Sequence, residues 1–343
     1  MSFSVNPVHK TSGEWSDITK LFYVTDPYNL GHGRDVKEVT KYTGLTPALA
    51  WRISAPSREK RYNAAKEEIA DGLSAMGLKV PDVVTKLDST ADALFESRLD
   101  RSVNEKVLLH GTRPEAILSL LQNGISERLS SGLFGNGSYL AEDPSKIDQY
   151  CTQDTDQHAD DKLHTILFKQ FDLQPLSGMF YGLVCRVALG YPVFTKDGNT
   201  NLNKPFNDAF VDESKRELPL IPEGGDLPVR YHSLIAEAGP SAMGYLCARH
   251  REFVVFDSSR IMEAYIVAYI RDIVSEPVQL TSNFLNAFNA AEDPATQAEL
   301  SKMGADDPHP LELTEMEDAD DWELQRRRMQ LTDALQPPSQ QSM

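Results

Sequence analysis

Cysteine is scarce in this chain and never paired: Cys151, Cys185 and Cys247 are the only three among 343 residues, and no two stand at a CxxC spacing. An odd count at wide spacing excludes a disulfide-stapled fold and a four-cysteine zinc site, leaving three reduced, packed thiols as the expectation. No apolar run approaches the roughly 20 residues that a membrane-spanning helix needs. The first residues, Met1-Ser-Phe-Ser-Val-Asn-Pro7, lack the basic-then-apolar order of a signal peptide. The expectation is a soluble intracellular protein of cytoplasm or nucleus with no membrane partner; secretion without a cleavable signal would leave no trace in such a sequence. Internal repeats are missing too. Basic residues are outnumbered, 34 Lys+Arg against 51 Asp+Glu for a net charge of −17, so strong direct binding to nucleic-acid phosphates, which needs clustered Lys and Arg, is not expected.

The acidity that is present is unevenly spread. Residues 291–343 hold 13 acids and 4 bases, a net of −9, which leaves −8 for the first 290 residues. Residues 286–343 combine Asp, Glu, Pro, Gln and Ser with few aromatics, a composition that predicts a mostly disordered tail. Within it, Asp320 to Leu335 carries acids first and three arginines later, which suits a helix dipole. The expectation for that stretch is a solvated tail, with a docked or protein-partner-binding helix over 320–335 as the alternative. The rest divides into an N-terminal arm, 1–17, and a globular part placed at 18–285, a length that supports one large or two ordinary domains.

Punctuation along the globular part is readable. Ala48–Ile53 predicts a strand, and Arg61–Ile69 a helix ended near Gly72 or Gly77. A second helix is predicted over about 89–99. Lys106–His110 reads as a buried strand, and Thr112-Arg-Pro-Glu115 after it as a capping box with Thr112 at the N-cap. Gly124 ends that helix. Gly132–Ser138 is a glycine-rich approach to a short strand, Ser138–Ala141, and Asp143-Pro144 starts a helix running to about Cys151, which would place Ile147 and Tyr150 on one face. Beyond it, Tyr181–Leu189, Glu252–Phe256 and Ala264–Ile270 predict strands, with a long polar connection between about 195 and 230. Few helices and many strands after residue 152 predict an α+β domain with a largely antiparallel sheet and flanking helices.

Three segments carry the chemistry: Leu109-His-Gly-Thr112, then Gly135-Asn-Gly-Ser-Tyr-Leu-Ala-Glu-Asp-Pro-Ser-Lys-Ile-Asp-Gln-Tyr150, then Arg251-Glu-Phe-Val-Val-Phe-Asp257. Singly, each has an ordinary structural reading. In this order they resemble the catalytic domain of the poly(ADP-ribose) polymerase family, the diphtheria-toxin-like ADP-ribosyltransferases with a His-Tyr-Glu triad. The likeness is nearest the tankyrase branch, through Gly124–Arg128, Gly132–Tyr139 and Tyr231–Ile235, and is best over about 100–271. The resemblance implies a split, largely antiparallel sheet and NAD as co-substrate, with transfer of ADP-ribose to a protein acceptor, including the chain itself. It implies that His110, Tyr139 and Glu252 are catalytic, and that His110, Gly111, Thr112, Arg128, Tyr139 and Tyr150 bind NAD. His110 would hold the adenosine ribose, the Gly111 backbone the nicotinamide amide, Tyr139 and Tyr150 the two faces of the ring, Glu252 the nicotinamide ribose, and Arg128 the adenine side.

Chemistry agrees with such roles. Cleavage of the nicotinamide–ribose bond builds positive charge on the ribose, which a carboxylate stabilises, and aromatic faces suit a flat pyridinium. The match departs in places. Ile147 stands where the family usually has a serine whose hydroxyl holds the carboxamide. One lost hydrogen bond of that kind costs about 1–3 kcal/mol, so Ile147→Ser is expected to raise NAD affinity. The tankyrase zinc site is not expected, because only Cys151, His158 and His164 stand in the corresponding stretch; no metal is expected. An autoinhibitory helical domain is not expected in the first 100 residues, which predicts activity not gated by DNA damage. Glu252 permits polymer elongation without establishing it, so mono- and poly-transfer both stay open. The alternatives are a catalytically weak module that binds NAD or ADP-ribose, and an NAD glycohydrolase.

Overall fold

The structure, a computed structural model, describes residues 3–25, 27, 30, 42–96, 98–155, 162–203, 207–222, 229–240 and 248–273. The tail, with the alternative helix 320–335, lies outside the described residues, as do Cys247 and His158. Chain order is β1 (Ser4–Pro7), α1 (Gly13–Leu21), β2 (Tyr42–Ser54), α2 (Pro56–Ala75), α3 (Asp88–Leu94), β3 (Glu105–Gly111), α4 (Pro114–Asn123), β4 (Ser138–Ala141), α5 (Pro144–Asp148) and α6 (Lys162–Leu167). Then come β5 (Met179–Ala188), β6 (Pro192–Thr195), β7 (Thr200–Asn201), β8 (Asn207–Asp208), β9 (Ser233–Ala236), β10 (Gly239–Pro240), β11 (Ala248–Arg249), β12 (Glu252–Val255) and β13 (Ile261–Ile273).

Nine strands form one sheet in the order β1-β2-β13-β5-β3-β4-β12-β9-β6. Every neighbouring pair is antiparallel except β6 with β9. The sheet is split in substance. β3 pairs with β5 over seven residues, whereas β3 and β4 share the single register pair Leu109 with Ala141. Each half is covered on both faces. Along β3, Leu108 joins one apolar cluster, with Trp51, Tyr62, Ile69 and Phe253, while Leu109 joins the other, with Ile18, Phe22, Ile147 and Tyr269. A strand buried on both sides reads as an unbroken apolar run instead of an alternating one, which is why Lys106–His110 and Tyr181–Leu189 were legible as strands.

Several boundaries differ from the sequence reading. The first 17 residues are not an arm: Ser4–Pro7 forms the edge strand β1, in register with Trp51–Ser54, and α1 begins at Gly13, capped by the Ser12 hydroxyl. Helix α2 begins at Pro56 and runs through Gly72, ending where Gly77 turns with φ +65°. Thr112 is not a cap. Arg113 occupies the N-cap of α4 with no side-chain capping bond to the helix, and Pro114 stands in the first turn. Helix α5 stops at Asp148, three residues short of Cys151, because its five residues are gripped at both ends, as described below.

Candidate functional site

Strand β3 ends in His110 and Gly111 at the gap between the two halves of the sheet, and β4 brings Tyr139 to the other side. His110 Nδ1 lies 2.8 Å from the Tyr139 carbonyl oxygen. A carbonyl only accepts, so Nδ1 carries the proton and Nε2 presents a lone pair. Burial pushes the His110 imidazole below its ordinary pKa, with the Tyr139 carbonyl opposing, so it is neutral at pH 7. A neutral Nε2 is an acceptor suited to a ribose hydroxyl.

Tyr139 is fixed at its far end. Its hydroxyl accepts from the Phe134 N–H (2.9 Å) and donates to the Gly135 carbonyl (2.7 Å), closing the glycine-rich loop onto the strand. A Cβ at Gly132 would sit 2.5 Å from that hydroxyl oxygen, so the loop can take this path only with glycine there. Burial, then the nearby Glu252 carboxylate, holds the Tyr139 phenol well above its ordinary pKa; it stays protonated.

Gly111 is required for a reason other than close approach of a ligand. A Cβ there would lie 2.1 Å from the Ile147 carbonyl oxygen and 3.0 Å from Cys151 Sγ. The end of α5 and the turn after it therefore pack directly on β3, and the Thr112 backbone contacts the buried Cys151 thiol, which burial pushes up to about 12. On the side facing β4, among the described residues, Gly111 has no strand partner.

Glu252 opens β12 in register with Ala141 of β4 and Ala236 of β9. It is buried, and its Oε1 lies 3.3 Å from Lys146 Nζ. The same ammonium donates to the Tyr150 hydroxyl (3.0 Å) and sits 4.9 Å from the Tyr150 ring centroid. Burial disfavours the charged Lys146, but Tyr150 and Glu252 outweigh it and its pKa is raised. Lys146 thus ties the carboxylate to the aromatic ring. It stands inside the second quoted segment, yet the sequence reading gave it no role. Its signal in the sequence is a basic residue inside the motif, next to Ile147 and about 100° from it around the helix.

Ile147 and Tyr150 do not share a pocket wall. Ile147 is buried in the second apolar cluster, its Cδ1 3.0 Å from where a Cβ of Gly182 would be, and Phe22 closes the same corner. Tyr150 is 45% exposed. α5 ends at Asp148 and the chain goes on in i→i+3 turns, the Tyr150 N–H donating to the Ile147 carbonyl at 3.0 Å and the Cys151 N–H to that of Asp148 at 3.2 Å. Arg128 stands on an exposed 3-10 turn, its Nε 3.7 Å from Glu127. Among the described residues no hydrogen bond or ion pair joins it to His110, Tyr139 or Glu252. His164, with Cys151 in the stretch considered for zinc, is instead 2.8 Å from Asp154, which also accepts from the Tyr181 hydroxyl at 2.7 Å.

The approach to Glu252 is fastened by charge. Arg251 donates to the Val84 carbonyl (2.8 Å) and pairs with Glu237 (3.2 Å). Asp143 caps α5 by accepting from Ser145 N–H, and it holds Lys86 at 2.9 Å and His250 at 3.6 Å. Burial raises the Asp143 pKa, but the neighbouring His250 and Lys86 outweigh it and hold it well below the carboxylate range. A separate cavity of about 500 Å³ lies between α1, α3 and this turn, lined by Tyr23, Lys86, Thr90, Glu142 and Asp143; none of His110, Tyr139 and Glu252 lines it. Among the described residues no helix is long and apolar enough to cross a membrane.

Residues 53–270 match the family model of the poly(ADP-ribose) polymerase catalytic domain. The chain is also similar to the poly(ADP-ribose) polymerase tankyrase of Caenorhabditis elegans, 25% identical over 181 residues, which are 48% of this chain and 7% of that protein. The chain therefore spans a small fraction of that relative's length.

Proposed function

This chain belongs to the poly(ADP-ribose) polymerase catalytic-domain family, and we propose that it transfers ADP-ribose from NAD to a protein acceptor. The observation that carries this reading is the meeting of His110, Tyr139 and Glu252 where β3 and β4 part. In the proposed reaction the bond between ribose C1′ and the nicotinamide nitrogen breaks. Nicotinamide leaves with the bonding pair as a neutral molecule, and an acceptor heteroatom adds to C1′ and loses its proton.

The residues fit the parts of NAD. His110 offers an acceptor to a ribose hydroxyl through Nε2. The unpartnered side of the Gly111 backbone suits the carboxamide of nicotinamide. Tyr139, locked at its hydroxyl, supplies a rigid wall, and the exposed ring of Tyr150 a face on which a pyridinium stacks. Glu252, anchored by Lys146, places negative charge where the ribose becomes positive, the kind of fixed electrostatic complement that lowers such barriers most. Arg128 and Thr112 are assigned to NAD contacts by family likeness alone. The acceptor is proposed to be protein, with the acidic tail among its candidates for self-labelling.

Labelled NAD with the wild type and with Glu252→Ala tests the reading. Label transferred to protein by the wild type and lost in the variant is expected. Free ADP-ribose without labelled protein would make the chain a glycohydrolase instead, and binding without turnover would reduce it to a recognition module.

A further inference from the structure

Helix α5 is only five residues long, too short to hold its shape alone, yet it carries the lysine that touches Glu252. Its first turn is held by Asp143. Its last residue, Asp148, is 1% exposed and lies on the opposite side of Lys146 from that cap. The Asp148 carboxylate accepts from the hydroxyls of Tyr42 on β2 and Tyr269 on β13 (2.7 Å for the latter), and from Arg271 Nε at 3.0 Å. Arg271 Nη2 also donates to the Asp148 backbone carbonyl at 3.1 Å, which accepts from the Cys151 N–H at 3.2 Å as well. The guanidinium is itself clamped, 4.0 Å from the Phe180 ring centroid and 4.7 Å from that of Tyr42.

A buried carboxylate with three strong donors is a fixed point, since moving it leaves a charge unpaired in the interior. Here the fixed point stands two residues after Lys146 and two before Tyr150. The geometry points to Asp148 as a positioning residue: its link to Tyr42, Tyr269 and Arg271 sets the end of α5 and thereby holds the Lys146 ammonium between Glu252 and Tyr150. Asp148 touches none of the proposed NAD groups. It acts by denying α5 the freedom to unwind, which fixes the backbone from which Lys146 reaches Glu252. The effect on turnover rests on the transferase reading above; the effect on Lys146 does not.

Two variants, Asp148→Asn and Asp148→Ala, separate this role from plain stabilisation when set beside Glu105→Gln. Glu105 is a second buried carboxylate, held by Tyr62, Lys66 and Arg186, and it makes no described contact with α5. Two readouts are taken on the full chain: acylation of Lys146 by acetic anhydride, scored by mass spectrometry against the exposed Lys60, and steady-state NAD turnover. In both Asp148 variants Lys146 should become severalfold more reactive, and kcat should fall by about tenfold or more with a smaller change in KM for NAD. Glu105→Gln should lower the melting temperature while leaving Lys146 reactivity and the ratio of the kcat and KM effects unchanged. Asp148 variants that lose stability yet match Glu105→Gln in both readouts overturn the proposal. If wild-type protein turns over no NAD while Lys146 still gains reactivity in the variants, the transferase reading falls and the positioning role stands.

Discussion

Lys146 is the side chain on which the site's electrostatics turn. It is nearly buried, it serves Glu252 and Tyr150 together, and its raised pKa keeps it charged across the neutral range. Replacing it with methionine keeps the bulk and removes the charge, leaving Glu252 buried without its partner. Lys146→Met should lose activity by about 10²-fold, the scale of a removed electrostatic stabiliser, with labelled NAD as the assay; because the buried Glu252 loses its partner, the melting temperature should fall as well, so activity is compared well below it on folded protein. Ile147, its neighbour, shows what sequence likeness alone leaves out. Read as an absent hydroxyl, it invites Ile147→Ser as an improvement. Its side chain, however, fills the corner between Gly182 and Phe22. The substitution removes a buried aliphatic group and leaves a hydroxyl among apolar atoms, at a cost of about 2–5 kcal/mol. Denaturant unfolding should register that loss, and any gain in NAD affinity has to be measured on the fraction that remains folded.

At the scale of elements, the caps and turns that hold the site were only partly legible. Asp143-Pro144 announced α5 correctly, because an acidic cap followed by proline has one dominant reading. Asp143→Ala should destabilise by about 0.5–2 kcal/mol and should also free Lys86 and His250, seen as a faster protease cut near residue 250. Thr112-Arg-Pro-Glu115 carried the same signature one residue out of place, since the strand before it runs on to Gly111 and pushes the cap to Arg113. The early end of α5 could not be read from local sequence at all. It depends on Tyr42, Tyr269 and Arg271, which lie more than 100 residues away along the chain.

A second element with a measurable signature is the turn joining β5 to β6. His232 Nδ1 accepts from the Tyr191 N–H at 3.1 Å, and a Cβ on Gly190, at φ +57°, would meet the imidazole at 2.6 Å. Burial, then the neighbouring Arg260, depresses the His232 pKa to about 3. The unfolded chain protonates this histidine first, so its contribution is complete above about pH 6.5 and declines as pH falls toward 3. The slope of unfolding free energy across that window should shrink in His232→Gln by up to about 1.4 kcal/mol per pH unit, measured by denaturant titration at several pH values.

For the whole molecule, buried charge fastens distant parts of the chain. Glu105 joins α2, through Tyr62 (2.8 Å) and Lys66 (3.1 Å), to β5, through Arg186 (2.6 Å). Its removal leaves two cations facing an apolar interior. Glu105→Ala should therefore cost about 3–5 kcal/mol, several times an exposed pair such as Arg101 with Asp92, and paired unfolding curves would show the contrast. The α+β class and the mostly antiparallel sheet were legible, since apolar runs and turn residues record strands locally; the three site segments were picked out by family likeness instead. The order of the nine strands was not: it follows from pairings such as β13 with β2, which join residues more than 200 apart. Nor was β1, whose four residues carry too little pattern to separate from coil.

The single register pair between Leu109 and Ala141 has a thermodynamic consequence. A ladder of one rung contributes little to holding the two halves of the sheet together, so the seam should be the first line of the domain to admit solvent. Amide protons flanking it would then exchange through local opening, while those of β5 and β13 wait for global unfolding. If NAD binds across the seam as proposed, it would bridge both halves and slow that exchange, acting as a reversible cross-link that leaves the domain stiffest when loaded.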